Sequence, residues 1–170
     1  LAAVAVKDSF ARQPDKQKSL EALSRNYASA AEPAKLLILE IAQITGGPQA
    51  LTVVRGAMEK KNKALYDKAL RLLAAWPGRD AAPDLLQAAG NAPDDVGKLL
   101  ALGGYIRIIG LDANNPPPKE KADMYASAWK LATRVDEKRL VLSGLASVKD
   151  PAALKLLTDC LGDAGVRAEA

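Results

Sequence analysis

Four successive stretches of this sequence carry apolar residues at the same four relative positions. We call the four residues that share one relative position a column. The columns are Ile44, Trp76, Leu111 and Val148; Ala42, Ala74, Ile109 and Ala146; Ile41, Leu73, Ile108 and Leu145; and Ile38, Leu70, Tyr105 and Leu142. Successive units are 32, 35 and 37 residues apart, which is long enough for two antiparallel helices and a turn. Because a helical pair cannot bury its apolar face alone, the recurrence predicts an α-solenoid of about four stacked helical pairs.

Proline and glycine residues divide the chain into segments in which apolar residues stand three and four positions apart, the spacing of one helix face. No segment has the alternating pattern of a β-strand, so the predicted fold class is all-α. The predicted helices span roughly 2–12, 16–31, 33–45, 48–60, 63–76, 80–90, 95–111, 119–133, 136–148 and 150–161, followed by a fragment that begins at 165.

Several predicted helix ends carry residues that favour a cap. Asp150 is a suitable N-cap, because Pro151 then takes the first helical position, where its missing N–H costs nothing. Asp80 and Asp136 are predicted to cap their helices in the same way. Three glycines stand near predicted C-termini, where a left-handed backbone is favourable: Gly46, Gly110 and Gly162.

The composition narrows the chemistry that this segment can perform. Hydrophobic residues make up 49% of the 170 residues but aromatic residues only 4%, which favours closely packed helices. The chain has no histidine, which excludes histidine-based acid–base catalysis, Ser-His-Asp sites and the usual zinc sites. The single cysteine, Cys160, permits no internal disulfide and is predicted to be a small core residue. We therefore predict no catalytic residue, cofactor or metal in this segment.

Charge is distributed unevenly around a formal net charge of +4. Residues 41–79 contain seven basic and two acidic residues, whereas residues 80–112 contain five acidic and two basic ones. The basic cluster of Lys60, Lys61, Lys63, Lys68 and Arg71 is a candidate for binding phosphates. Glu59 and Asp67 interrupt it, so a solvated helix face is the favoured interpretation. Arg107 and Arg139 stand in apolar stretches and are candidate ion-pair partners of acids on adjacent helices.

Glycine and aromatic residues provide further candidates. Gly103 and Gly104 lie inside a predicted helix, where they indicate either close helix contact, the favoured interpretation, or bare backbone that admits a partner. Tyr125 and Trp129 are four residues apart and share a face that is in part exposed or, as we favour, packed. Trp76 and Tyr105 are interpreted as core residues rather than sugar-stacking platforms. The pairs Asp94-Asp95 and Asp136-Glu137 fall at helix starts, where the helix dipole accounts for them.

Three stretches, taken together, resemble a known family over residues 33–170. They are "ALRLLAAWP" (69–77), "KLLALGGYIRIIGL" (98–111) and "DEKRLVLSGLASV" (136–148). They are similar to the HEAT-like repeat domain of large secreted bacterial proteins that also carry 3-keto-disaccharide-hydrolase-like or c-type haem modules. The last ten residues, "LGDAGVRAEA", resemble the turn and second-helix start of a HEAT repeat. The resemblance implies a HEAT/armadillo-like superhelix and a periplasmic or extracellular location.

These observations lead to one functional expectation and two alternatives. We expect an N-terminal helical extension at 1–31 and HEAT-like repeats at 32–170 that continue beyond Ala170 in a longer protein. The expected function is a non-catalytic scaffold that binds a protein partner or a neighbouring domain. The alternatives are a solenoid that binds nucleic acid or processes bases, and a module that presents carbohydrate to a linked glycoside-hydrolase-like domain. The candidate interaction surface comprises Lys60, Lys61, Lys63, Lys68, Arg71, Arg107, Tyr125 and Trp129.

Overall fold

The computed structural model describes residues 2–59, 62–111 and 116–167, with the side chains of residues 2–5 and 7 excepted. Over these ranges the fold is all-α and contains no strand, as the sequence predicts. The α-helices are α1 (Ala2–Ala11), α2 (Lys16–Ser24), α3 (Glu32–Thr45), α4 (Gly47–Gly56), α5 (Lys63–Ala74), α6 (Ala82–Gly90), α7 (Asp95–Ile109), α8 (Pro118–Leu131), α9 (Val135–Leu145) and α10 (Pro151–Cys160). A short 3-10 helix, Arg79–Ala81, precedes α6.

Local chemistry explains where most of these helices begin. Side chains accept hydrogen bonds from the first-turn N–H groups of four helices: Asp15 for α2, Asn62 for α5, Asp94 for α7 and Asp150 for α10. Proline occupies the first or second position of α3, α4, α6, α8 and α10, where a helix has no use for its N–H. The predicted cap at Asp150, with Pro151 following it, is confirmed, and Asp150 Oδ1 lies 2.8 Å from Ala152 N.

The chain divides into two compact units, Leu1–Pro77 and Gly78–Ala170. In the first unit, α2 packs against α3 and α4, and α3 packs against α4 and α5. The core of this unit includes the fully buried Leu39, Ile41, Leu70 and Leu73. Lys68 on α5 and Glu40 on α3 form an ion pair at 2.7 Å, which adds a polar contact between these two helices.

The second unit repeats the same neighbour relationships. Helix α6 packs against α7 and α8, α7 against α8 and α9, and α8 against α9 and α10. Each helix therefore contacts the next helix and the one after it. Leu85, Leu102, Ile108 and Leu145 are fully buried in its core. A smaller cluster of Leu142, Cys160 and Val166 closes the end of the unit, with Trp129, Leu156 and Leu157 packed against it.

Two of the four predicted columns are buried throughout. The column of Ile41, Leu73, Ile108 and Leu145 and the column of Ile38, Leu70, Tyr105 and Leu142 are both confirmed as core. The other two columns are buried only in part, because Ile44 is 51% exposed, Ala146 is exposed, and Leu111 and Val148 are half-buried. Ile44 is the next-to-last residue of α3, and Ala146 lies just beyond α9. At Ala146 the chain has left the helix, so helical spacing no longer determines which way the side chain points. Ile44 is still helical, but at about 100° per residue it lies outside the centre of the α3 face that buries Ile38 and Ala42.

Some predicted helix ends differ from the structure. Helix α2 ends at Ser24 rather than 31, and α4 ends at Gly56 rather than 60. Asp80 was predicted to cap a helix, but it lies within the 3-10 helix, and no side chain caps the start of α6. Gly46 does have a left-handed backbone, with φ of 66°, whereas Gly110 is right-handed with φ of −81°, and Gly162 is not among the positive-φ glycines.

The predicted helix that begins at 165 is wrong over the residues described. Residues 164–167 form turns, and Asp163 Oδ1 accepts a hydrogen bond from Gly165 N at 3.0 Å. Val166 is nevertheless fully buried. The side chain of Arg167 donates to the carbonyl of Leu161 at 3.0 Å rather than to an acid on a neighbouring helix. The segment is therefore anchored to the second unit through Val166 without being helical.

Candidate functional site

Charged side chains from two helices meet where α7 and α9 begin, in the second unit. We call this group the α7–α9 polar cluster; its members are Asp95, Lys98, Thr133, Arg134, Asp136 and Glu137. The two helices contact each other, and α7 begins at Asp95 whereas α9 begins at Val135. Their first turns therefore lie side by side, which brings residues almost forty positions apart in the sequence into ion-pair distance.

Glu137 is the centre of this cluster and is fully buried. Its Oε2 atom accepts hydrogen bonds from the backbone N–H of Thr133 at 2.8 Å and of Arg134 at 3.1 Å. The ammonium group of Lys98 lies 3.3 Å from the same oxygen and also donates to Thr133 Oγ1 at 2.7 Å. The other carboxylate oxygen, Oε1, is buried and has no hydrogen-bond partner among the residues that the structure describes. One oxygen therefore holds the start of α9 and its contact with α7.

The environment of Glu137 favours its ionised form. Burial by itself raises the pKa of this carboxyl group, because it removes water from the charged form. The hydrogen bonds from the N–H groups of Arg134 and Thr133 and from Lys98 act in the opposite direction. Their combined effect is larger, so the pKa of Glu137 lies below its ordinary value. A carboxylate held in this state is unsuited to donating a proton near neutral pH.

Arg134 completes the cluster at the solvent side. Its guanidinium binds both oxygens of Asp136, at 3.1 and 3.2 Å, and reaches Asp95 on α7 at 3.0 Å. The hydrogen bonds from Arg134 lower the pKa of Asp136. Asp136 was predicted to cap α9, but Arg134 holds the N-cap position and Asp136 is the second helical residue. An arginine cannot accept a hydrogen bond, so Asp136 Oδ1 instead accepts the N–H of Glu137 at 3.1 Å.

The aromatic residues that the sequence singles out are mostly internal. Tyr125 is buried, so it contributes no surface to the candidate interaction face. Trp129 is half-buried, and the ammonium group of Lys138 lies 5.7 Å from the centre of its ring. Trp76 and Tyr105 are core residues, as predicted, and burial raises the pKa of Tyr105 to about 12.

The candidate basic cluster is partly neutralised within the first unit. Lys63 forms an ion pair with Asp67 at 3.0 Å, one turn along α5, and Lys68 pairs with Glu40. Arg71 is exposed on the same helix. Lys60 and Lys61 lie outside the described residues. A role for these residues in binding stays a prediction, as it does for Arg107, which is exposed on α7 of the second unit.

Large apolar side chains are exposed on three helices of the second unit. On α7, Val96 is 76% exposed and Leu99 is 41% exposed, and Val135 on α9 is also exposed. On α10, Leu154 is 67% exposed, and Leu161 follows just beyond the helix. Val96 and Val135 adjoin paired residues of the α7–α9 polar cluster in the sequence, Asp95 and Arg134.

Glycines in the second unit have two different environments. A Cβ atom on Gly144 would lie 2.5 Å from Tyr125 Oη, so the tyrosine side chain fills the space that a side chain at 144 would need. A Cβ atom on Gly103 would meet only Leu140, at 3.9 Å, which is an ordinary contact distance. The sequence favoured close helix packing as the reason for glycine at 103, but the structure leaves room for a Cβ atom there. Close packing requires glycine at 144 instead.

Sequence reasoning missed the roles of Lys98, Thr133 and Arg134. The weak signal was the spacing of three residues from Arg134 to Glu137, which is that of a capping box. A capping box begins with serine or threonine, and arginine at that position conceals the pattern. No comparable signal exists for Lys98, because its partner lies on another helix.

Over residues 2–59, 62–111 and 116–167, no three or more Cys, Asp or Glu side chains converge as a metal site. In the same part of the chain, every helix is too short or too polar to cross a membrane. The chain matches no protein-family model, and no curated protein or solved structure is significantly similar to it.

Proposed function

We propose that this chain is a non-catalytic, HEAT-like repeat module that binds another protein or a neighbouring domain. The observation that carries the proposal is the set of exposed apolar side chains in the second unit, of which Val96 on α7 and Leu154 on α10 are the most exposed, and Leu99 lies one turn from Val96 on α7. Burying such side chains against a partner is favourable by about 25 cal/mol per Å² of apolar area. Val96 and Leu99 stand three residues apart on α7 and share a helix face, and neighbouring exposed apolar residues are typical of binding surfaces.

The titratable groups support binding rather than catalysis. Lowered pKa values occur at Asp15, Asp136, Glu137 and Asp163, and each of these carboxylates accepts hydrogen bonds at a helix start or turn. Those shifts stabilise the ionised form, whereas a general acid needs a raised pKa near the working pH. These four carboxylates therefore stabilise helix starts and turns in their ionised form.

The proposal includes a repeat architecture, and the order in which the helices contact one another supports it. In each unit a helix contacts the next helix and the one after it, which is the relationship expected for stacked helical pairs. Successive stacked pairs present equivalent faces to a partner, as in other solenoids. The larger bacterial parent protein and the periplasmic or extracellular location follow from the resemblance and belong to the same proposal.

Site-specific photo-crosslinking in cells of the source organism tests the proposed function. A photoreactive amino acid replaces Val96, Leu99 or Leu154 in turn, and Lys130, an exposed polar position on α8, serves as the control. We expect a discrete protein adduct at one or more apolar positions, absent at Lys130 and competed away by excess unlabelled chain. The proposal is wrong if none of the three positions gives an adduct above the control.

A further inference from the structure

A cleft with a volume of about 570 Å³ lies between α1 and α2 in the first unit. Small-molecule sites usually have volumes of about 300–1,000 Å³, so the cleft is large enough for one. Its lining combines apolar side chains with three that carry a hydroxyl or an amide: Val6, Phe10, Ala22 and Leu23, and Ser9, Gln13 and Ser19. The lining therefore suits a ligand with an apolar part.

A polar hollow of about 390 Å³ adjoins this cleft. It is lined by Asp8, Ser9, Arg12 and Gln13. Because Ser9 and Gln13 line both cavities, the apolar cleft and the polar hollow are next to each other. We call the two together the α1–α2 pocket. One end of this pocket is apolar, and the other end carries a carboxylate and a guanidinium.

The two charged groups of the hollow do not neutralise each other. Asp8 and Arg12 are four residues apart, a spacing at which opposite charges often pair. Glu21 and Arg25 have the same spacing at α2 and form an ion pair at 3.0 Å. Asp8 and Arg12 are exposed and pair neither with each other nor with another described side chain. The pocket therefore offers one negative and one positive group to a ligand.

We propose that the α1–α2 pocket binds a free α-amino acid with a large apolar side chain, such as leucine or phenylalanine. The carboxylate of the ligand binds Arg12, its ammonium group binds Asp8, and its side chain enters the cleft beside Phe10. The planar guanidinium suits a carboxylate, and hydrogen bonds between charged groups are stronger than those between neutral ones.

The pairing of opposite charges selects this class of ligand. An α-amino acid carries an ammonium group and a carboxylate on one carbon atom, so it can bind Asp8 and Arg12 at once. An apolar acid or an apolar amine would bind only one of them and leave the other without a partner. The pocket lies in the first unit, so the inference is independent of the proposed function, which concerns side chains of the second unit.

Isothermal titration calorimetry of the full chain tests the proposal with leucine, phenylalanine and three smaller probes. 4-Methylpentanoate is leucine without the ammonium group, 3-methylbutylamine is leucine without the carboxylate, and alanine lacks the large side chain. We expect leucine or phenylalanine to bind, and each of the three probes to bind about tenfold more weakly or not at all. A factor of ten corresponds to the loss of one charged hydrogen bond or of a few buried methylene groups.

Three variants place the binding in this pocket. Asp8→Asn and Arg12→Gln should each weaken binding of the amino acid by about tenfold, without unfolding the chain, because both side chains are exposed. Ala22→Leu, at an exposed position on α2, should weaken binding by filling the apolar cleft. Arg71→Gln is the matched control, since it removes an exposed arginine from α5 and should leave binding unchanged. Circular dichroism verifies that each variant is folded.

Several outcomes would overturn this inference. One is that neither leucine nor phenylalanine binds at millimolar concentration. Another is that 4-methylpentanoate or 3-methylbutylamine binds as tightly as leucine, which would show that one of the two charges is not used. A third is that Asp8→Asn and Arg12→Gln bind as the wild type does. None of these results alters the crosslinking test at Val96, Leu99 and Leu154, so each proposal can fail alone.

Discussion

The carboxylate of Glu137 and the ammonium group of Lys98 face each other across the α7–α9 contact at 3.3 Å, with the glutamate fully buried. Lys98 is 18% exposed, so its charge keeps access to water while that of Glu137 does not. The pair therefore depends on the hydrogen bonds that Glu137 also accepts from the start of α9. The Oε2 atom of Glu137 therefore stabilises both the start of α9 and the contact between α7 and α9.

Glu137→Ala should consequently be among the more damaging single substitutions in the second unit. It removes the acceptor for two backbone N–H groups and leaves Lys98 without its partner carboxylate. Loss of a cap and of a largely buried ion pair together should cost about 2–4 kcal/mol. Urea denaturation followed by circular dichroism measures this cost. Glu21→Ala, which breaks the exposed pair with Arg25, is the control and should cost less than about 1 kcal/mol.

Acid should destabilise the chain in part through Glu137. Its folded pKa is lower than the ordinary value of 4.5, so the ionised group stabilises the folded state at higher pH. This stability is fully present above about pH 4.5 and is lost as the pH falls through the lowered folded pKa. Glu137→Gln should therefore lose less stability than the wild type between pH 5 and pH 3, roughly the range of carboxyl titration. Equal acid sensitivity in both proteins would contradict this assignment.

The buried columns give a second stability prediction with an internal control. Leu73 and Leu145 are fully buried in separate units, and truncating either to alanine should cost about 2–5 kcal/mol. Ile44 is 51% exposed although it belongs to a column of the same sequence pattern. Ile44→Ala should therefore cost less than about 1 kcal/mol. Chemical denaturation of the three variants measures these differences, and a large effect at Ile44 would show that its side chain is covered in solution.

The sequence predicted the helices well where their first residues depend on nearby side chains. Asp150 with Pro151 begins α10 as expected, and the columns through Ile41 and Leu145 are buried as helical spacing requires. Predictions failed near the ends of helices. Ile44 shows this at the end of α3, and the turns at 164–167 show it again, since Val166 is buried without helical structure.

The candidate sites were harder to predict because they depend on packing between helices. Lys98 and Glu137 become partners only when α7 and α9 lie side by side. Gly103 and Gly144 look alike in the sequence, as glycines within helices. Their difference depends on where the ring of Tyr125 packs, and helical spacing on one helix contains no information about that contact.

Charge removal at the basic cluster tests the alternative of nucleic-acid binding. The triple variant Lys60→Gln, Lys61→Gln and Lys63→Gln should remain folded, because the ion pair of Lys63 with Asp67 is exposed and such pairs contribute little to stability. We expect neither this variant nor the wild type to shift duplex DNA in electrophoresis at physiological salt. A tight, salt-dependent shift by the wild type that disappears in the triple variant would contradict the proposed function. Lys68→Gln is unsuitable as a control, because Lys68 is tied to Glu40.

Val166 provides the last prediction, because it is buried in a segment without regular structure. Its side chain packs with Leu142 and Cys160, and its N–H donates to the carbonyl of Asp163 at 3.2 Å. Val166→Ala should therefore cost about 1–3 kcal/mol, close to the effect of removing two buried methyl groups from a core. Leu161→Ala, at a position 44% exposed, should cost less than about 1 kcal/mol. Hydrogen exchange of the Leu142 amide in both variants adds a local measurement. If Val166→Ala changes neither the unfolding free energy nor this exchange rate, the residues after Gly162 do not pack against α9 in solution.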